Sequence, residues 1–275
     1  MYLNSKGQLP IIVVVILSGI IILSALTSYK VSIFPKTVED SDWTHLIINV
    51  DKDFKRILQA SLANFTASYL KTGDHDDSED NAKINIETWK FAFSLAYAPL
   101  SLKISISPSG SLISPASTYT LQFKYGSSTT FYNIYVSSFT IKCGSIFNCS
   151  WDKPYGISAS HASISLDIIG SKVYGWNNSY TALLLLNVTK VIVDGNLNEM
   201  SIIFILNSEM GPVNNLSTNN LNITINGIQR NVWSLTYCGM GTYNATIRNP
   251  PPPPYTILIT VIDYRGIIVR SKVTV

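Results

Sequence analysis

The chain has 275 residues, of which 46% are hydrophobic and only 13% charged, with a formal net charge of +3. That length allows a membrane anchor plus one or two domains, and so small a charge, with Lys and Arg in no stripe, excludes a nucleic-acid binder. Asn, Ser, Thr and Tyr make up much of the remainder, which fits a protein facing a harsh exterior.

The first element is Pro10 to Tyr29, PIIVVVILSGIIILSALTSY, with no charged residue. As a helix it is about 30 Å long, the thickness of a bilayer's hydrocarbon. It is apolar all round, which argues against a core helix with one buried face. Ala25-Leu26-Thr27 is a poor signal-peptidase site, which argues against a cleaved secretory signal. The expectation is a retained membrane helix over 10–29 behind a cytoplasmic tail at 1–9. Lys6-Gly7-Gln8, followed at once by the apolar run, resembles the archaeal class III, prepilin-like signal. The resemblance covers about the first 30 residues. It implies cleavage between Gly7 and Gln8, an archaeal source, and a retained helix that is either an anchor or the core of a filament. Pro10 lies close to that cut, and Ile12 stands where many bacterial pilins have glutamate.

Residues 30–99 are expected to form a membrane-proximal helical region. Asp40-Ser41-Asp42 offers an amino-cap, and Trp43, Leu46, Ile47, Val50, Phe54, Ile57, Leu58, Leu62, Phe65 and Tyr69 follow at spacings of three and four. They predict an amphipathic helix over about 42–70. The heptad is not sustained, so its stripe is expected to pack on the following domain rather than to build a stalk with another subunit. The run Gly73–Asp80, GDHDDSED, reads as a solvated loop. As a calcium loop it fails, because Glu79 stands where glycine is needed and Asn85 where a bidentate carboxylate is needed. A second helix over about 82–97 carries Ile86, Trp89, Phe93, Ala96 and Tyr97 on one face and stops before Pro99.

From there the period changes to two. Leu102, Ile104 and Ile106 alternate with polar residues, as do Tyr119, Leu121, Phe123 and Tyr125, and Ala162, Ile164, Leu166 and Ile168. Further strand runs lie at 131–142, 182–193 and 200–207. Many short strands without a βαβ rhythm predict an antiparallel sandwich, divided into a β-sandwich-like domain at 100–196 and a second domain at 197–275. In the second, Leu221–Ile225 runs into an Asn226-Gly227 turn. Gly239-Met-Gly-Thr-Tyr-Asn-Ala-Thr-Ile247 precedes Pro250–Pro254, and Tyr255–Val261 pairs with Ile267–Val275 across Asp263–Gly266. These strands resemble the last strands of immunoglobulin-like modules of bacterial surface proteins and filamins, a likeness that covers about residues 200–275 and bears on fold rather than activity. The five prolines read as a rigid link more than a docking peptide. The whole is an α+β chain.

Sequons begin at Asn64, Asn148, Asn177, Asn187, Asn215, Asn222 and Asn244, which places the carboxyl-terminal part outside the cell. Cys143 and Cys149 are spaced for a small disulfide loop, leaving Cys238 over. No CxxC pair exists, and His45, His75 and His161 share no metal-ligand spacing, so neither a metal nor a cofactor is expected. A triad of His161, Asp167 and a serine is not selected by any GxSxG elbow. The chain is therefore expected not to be an enzyme. It is expected to be a single-pass, membrane-anchored surface protein in adhesion or structure, whose partners are the bilayer, itself, other envelope proteins or glycans. A filament subunit, or an anchored hydrolase or transport accessory subunit, stands as the alternative. Tyr119, Tyr125, Tyr132, Tyr135, Tyr174 and Trp176 offer an aromatic platform for such contacts, although tyrosines also simply favour strands.

Overall fold

The computed structural model describes residues 43–96, 102–108, 117–125, 128–136, 145–168 and 174–274. Gly7, Gln8, the apolar run 10–29 and Cys143 lie outside the described residues. Among those described, no helix is long and apolar enough to cross a membrane. The chain divides into Met1–Ile48 and Asn49–Val275. Of the first unit only the opening of a helix is described, and every other described element belongs to the second.

Helix α1 spans Trp43–Thr72 and α2 His75–Ala96. Val50, Phe54, Leu58, Leu62 and Phe65 recur every three or four residues along α1 and are all buried. The helix ends because Gly73 takes a left-handed φ of 67° and its N–H donates to the Tyr69 carbonyl at 2.9 Å. Asp74 then caps α2 at once, its Oδ1 accepting from the N–H groups of Asp76 (2.9 Å) and Asp77 (3.2 Å). The acidic run expected as a solvated loop is thus mostly the first turns of a helix. Carboxylates there complement the positive end of the helix dipole, and the helix begins at His75 rather than near residue 82.

Fourteen strands follow among the described residues: β1 (Leu102–Pro108), β2 (Ser117–Tyr125), β3 (Ser128–Val136), β4 (Phe147–Ser150), β5 (Tyr155–Ile168), β6 (Tyr174–Asp194), β7 (Glu199–Ser208), β8 (Gly211–Pro212), β9 (Leu221–Ile225), β10 (Ile228–Arg230), β11 (Ser234–Gly239), β12 (Thr242–Arg248), β13 (Thr256–Ile262) and β14 (Ile268–Thr274). The larger sheet runs β1-β5-β6-β7-β12-β11, with β4 on β5, β8 on β7 and the β2–β3 hairpin joined to β6 by the parallel pair Tyr125–Val193. The smaller runs β10-β9-β13-β14, and its pairs are all antiparallel. The Asn226-Gly227 turn and the β13–β14 hairpin form as expected, with Asn226 and Gly227 both at positive φ.

The expected division at residue 196 does not interrupt the sheet. It falls in the turn between β6 and β7, which pair from Asp194–Glu199 to Leu184–Ser208, and β12 continues the sheet beyond β7. A bulge between Val188 and Lys190 inserts one extra residue in β6. Leu184, Leu186 and Val188 before it and Val191 and Val193 after it are all buried, while Lys190 stays half-buried. Met200, Ile202, Phe204 and Leu206, then Tyr243, Ala245 and Ile247, extend the same alternation.

Both the helices and the smaller sheet pack on the larger sheet. Phe54 of α1 meets Tyr180 of β6 edge-on with ring centroids 5.7 Å apart, and Phe65 stacks on Phe147 of β4 at 5.2 Å. Thr66 Oγ1 accepts the N–H of Ile268 at 3.1 Å, tying α1 to β14. Where β14 passes over β5 the backbones nearly touch: a Cβ on Gly156 would lie 1.8 Å from the Arg270 carbonyl oxygen.

One buried ionic cluster joins segments far apart in the sequence. Arg265, in the β13–β14 turn, donates from Nε to Asp263 Oδ2 (2.7 Å), from Nη1 to Glu209 Oε1 and from Nη2 to the Leu183 carbonyl (3.0 Å). Glu209 also accepts from Gln59 Nε2 of α1 (2.8 Å) and from Leu183 N–H (2.9 Å). Burial alone would raise the Glu209 carboxyl's pKa, but the Arg265 and Leu183 hydrogen bonds and the Arg265 charge hold it below the usual carboxylate range.

Gly156→Ala is expected to cost about 3 kcal/mol, since the clash is with backbone that cannot swing aside, read as a lower urea midpoint. Glu209→Ala is expected to cost about 3–5 kcal/mol, because it strands a buried guanidinium. The folded Glu209 binds its proton less readily than the unfolded one. Its contribution is therefore full above about pH 4.3 and is lost as pH falls through the lower folded value. Melts of the wild type and Glu209→Gln should show a smaller acid-induced loss in the variant over that window.

Candidate functional site

A cleft of about 440 Å³ opens where the end of α1, the β4–β5 turn and the smaller sheet meet, lined by Tyr69, Trp151, Asp152, Leu258, Arg270 and Lys272 among others. Trp151 is held from behind. Its indole Nε1–H donates to Ser158 Oγ at 3.0 Å, and that hydroxyl donates to the Ile268 carbonyl at 2.6 Å. The Cys149 thiol also points its hydrogen at Ser158 Oγ, 3.6 Å away. One serine of β5 thereby fixes the indole, the thiol and the backbone of β14.

Tyr69 meets the Trp151 ring edge-on at 5.0 Å, and the Arg270 guanidinium lies 5.9 Å from that ring's centroid. Arg270 Nε donates to Thr260 Oγ1 at 3.2 Å. Burial, reinforced by Cys149 and Asp152, pushes the Tyr69 phenol up, so it stays a hydroxyl and a donor. The cleft therefore offers an aromatic wall, a phenol, a carboxylate and two cations. Those groups stack, hydrogen-bond and attract anions.

The titratable groups singled out in the sequence do not converge on this cleft. His161 of β5 bonds Thr181 Oγ1 through Nδ1 at 2.7 Å, and burial lowers its pKa. His75 Nε2 lies 3.2 Å from the Phe147 carbonyl, and its Nδ1 lies 3.7 Å from Glu79 Oε2. Ser145 Oγ donates to that same Glu79 oxygen at 2.9 Å instead of meeting the imidazole, so the three do not form a nucleophile–base pair. Glu79 and Ser78, read as loop residues, are buried, with Glu79 Oε1 3.1 Å from Lys83 Nζ. No three metal-ligating side chains cluster among the described residues. Burial, opposed by the Ser158 hydrogen bond, pushes the Cys149 thiol up to about 12. It is a free, protonated thiol, and its expected partner Cys143 lies outside the described residues. Cys238 is exposed and free.

The sequon asparagines fall into three groups. Asn64, Asn177, Asn215 and Asn222 are exposed. Asn148 and Asn244 are half-buried. Asn187 is buried, with its Nδ2 enclosed and unbonded, which leaves no room for a glycan on the folded chain.

Of the expected aromatic platform, Trp176 is half-buried in β6, and the side chains of Tyr119, Tyr125, Tyr132, Tyr135 and Tyr174 lie outside those described. The cleft residues themselves carry no motif. Trp151-Asp152 ahead of Pro154 signals a turn, and Arg270 and Lys272 sit at the polar positions of an alternating strand.

No family model matches the sequence, and neither curated proteins nor solved structures match it at a significant level. What stands is the class: an α+β protein with two helices and antiparallel, sandwich-like sheets among the described residues.

Ser158→Ala is expected to cost about 1–3 kcal/mol by orphaning the indole N–H and the Ile268 carbonyl. It should also red-shift and broaden the tryptophan emission as Trp151 loosens, a change that Ser163→Ala on the exposed strand surface should not produce.

Proposed function

We propose that this chain is a single-pass, membrane-anchored surface protein whose β-rich part lies outside the cell and serves adhesion or structural contact within an envelope. The observation that carries this is the charge-free run of residues 10–29 ahead of a unit with its own buried core. The four exposed sequons support an outside position for that unit. Its cleft of aromatic and charged groups supports contact with glycans or envelope proteins. An immunoglobulin-like carboxyl-terminal module is consistent with how strands after residue 197 divide, β7, β11 and β12 in one sheet and β9, β10, β13 and β14 in the other.

A second reading, a pilin-like filament subunit, is favoured by Lys6-Gly7-Gln8. The apolar helix would then pack in a bundle rather than in lipid.

Intact mass and amino-terminal sequencing of the protein from native membranes separate the two. The anchored reading expects the chain intact or short of Met1 alone. A new terminus at Gln8 would make the filament the leading reading. Hexose-stepped mass on Asn64, Asn177, Asn215 or Asn222, with none on Asn187, is expected for a domain outside the cell. A wholly unglycosylated chain from a host that glycosylates its surface proteins would count against it.

A further inference from the structure

The geometry points to a second binding site, for an acidic saccharide, in a cleft of about 420 Å³ lined by Gln229, Arg230, Asn231, Trp233, Arg248 and Asn249 among others. It does not rest on the membrane anchor. Trp233 is secured at the edge of the larger sheet by its N–H, which donates to the Thr246 carbonyl at 2.8 Å. The residue is nonetheless 62% exposed. The Arg248 guanidinium lies 3.6 Å from the centroid of the indole ring, and its Nε donates to Glu199 Oε1 at 3.1 Å. Arg248 therefore braces the ring, and Glu199 neutralises its charge.

Arg230 is different. No carboxylate among the described residues pairs with it, and its Nε is enclosed without a hydrogen-bond partner. A guanidinium that lines a cleft with no carboxylate of its own presents a fork matching the two oxygens of a carboxylate. The side chains of Gln229, Asn231 and Asn249 bring amides that both donate and accept, as several ring hydroxyls require. An indole with a free face accepts the apolar face of a pyranose. One unpaired cation, several amides and one open aromatic face suit a uronic acid residue. They suit a polyanion poorly, since it would need a run of cations.

The test is calorimetric titration of the full chain in detergent micelles with methyl galacturonoside, which carries one carboxylate, and with its methyl ester, which keeps the sugar and removes the charge. Saturable binding of the acid is expected, at least about tenfold tighter than the ester. Arg230→Gln and Trp233→Ala should each weaken it about tenfold or more, while Arg56→Gln on the exposed face of α1, in neither cleft, leaves it unchanged. Arg230→Lys, which keeps the charge without the fork, covers the case in which the glutamine variant misfolds, and is expected to bind several-fold more weakly than wild type. The assignment is overturned if acid and ester bind alike, if the wild type binds neither, if the Arg230 variants bind as wild type, or if inorganic sulfate displaces the uronate at equal concentration.

Discussion

The arrangement depends most on Arg265. Its guanidinium is almost wholly enclosed, and a charge taken out of water is tolerated only when its hydrogen bonds are met. They are met by Asp263 beside it, by Glu209 after β7 and by the Leu183 carbonyl in β6, while Gln59 of α1 closes the far side of Glu209. Such a cluster adds little net stability over apolar packing of the same volume. Any other seating of α1 or of the β13–β14 hairpin, however, leaves a buried charge without its partners. The cluster therefore selects one assembly of helix, sheet and hairpin from many that would bury similar apolar area.

Once the β13–β14 hairpin is seated, the candidate cleft forms with it. β14 passes so close to β5 that only glycine fits at residue 156, and this contact brings the Ile268 carbonyl onto Ser158. Ser158 in turn holds Trp151, and Trp151 meets Tyr69 from α1 and Arg270 from β14. The cleft is thus assembled by three segments, each drawn in by backbone packing rather than by affinity among its lining groups. The Arg230 cleft is built differently, from β10, the link to β11 and the end of β12, local to one end of the two sheets.

Some departures from the sequence-based expectations have simple causes. The acidic run at 73–80 looks like solvated loop because charge density is all that a linear reading sees. In the fold, Asp74 satisfies two amides that the helix cannot, and the carboxylates after it meet a favourable dipole. The expected boundary at residue 196 is a turn signal correctly located, but a turn between two strands of one sheet looks the same in sequence as a turn between domains. Asn187 reads as a sequon although it is buried, because a three-residue pattern carries no information on which face of β6 it occupies.

What the sequence determined by itself was local. The spacing of Val50, Phe54, Leu58, Leu62 and Phe65 makes an amphipathic helix wherever it lies, alternation makes the strands, and Asn226-Gly227 makes a hairpin turn, since each depends only on near neighbours in the chain. The tertiary structure alone decided which sheet each strand joined, that Glu209 and Arg265 would meet across 56 positions, and that Tyr69, Trp151 and Arg270 would share a wall. Those outcomes turn on close packing and on the cost of unpaired buried charge. Both are set by groups distant in sequence and leave no periodicity to read.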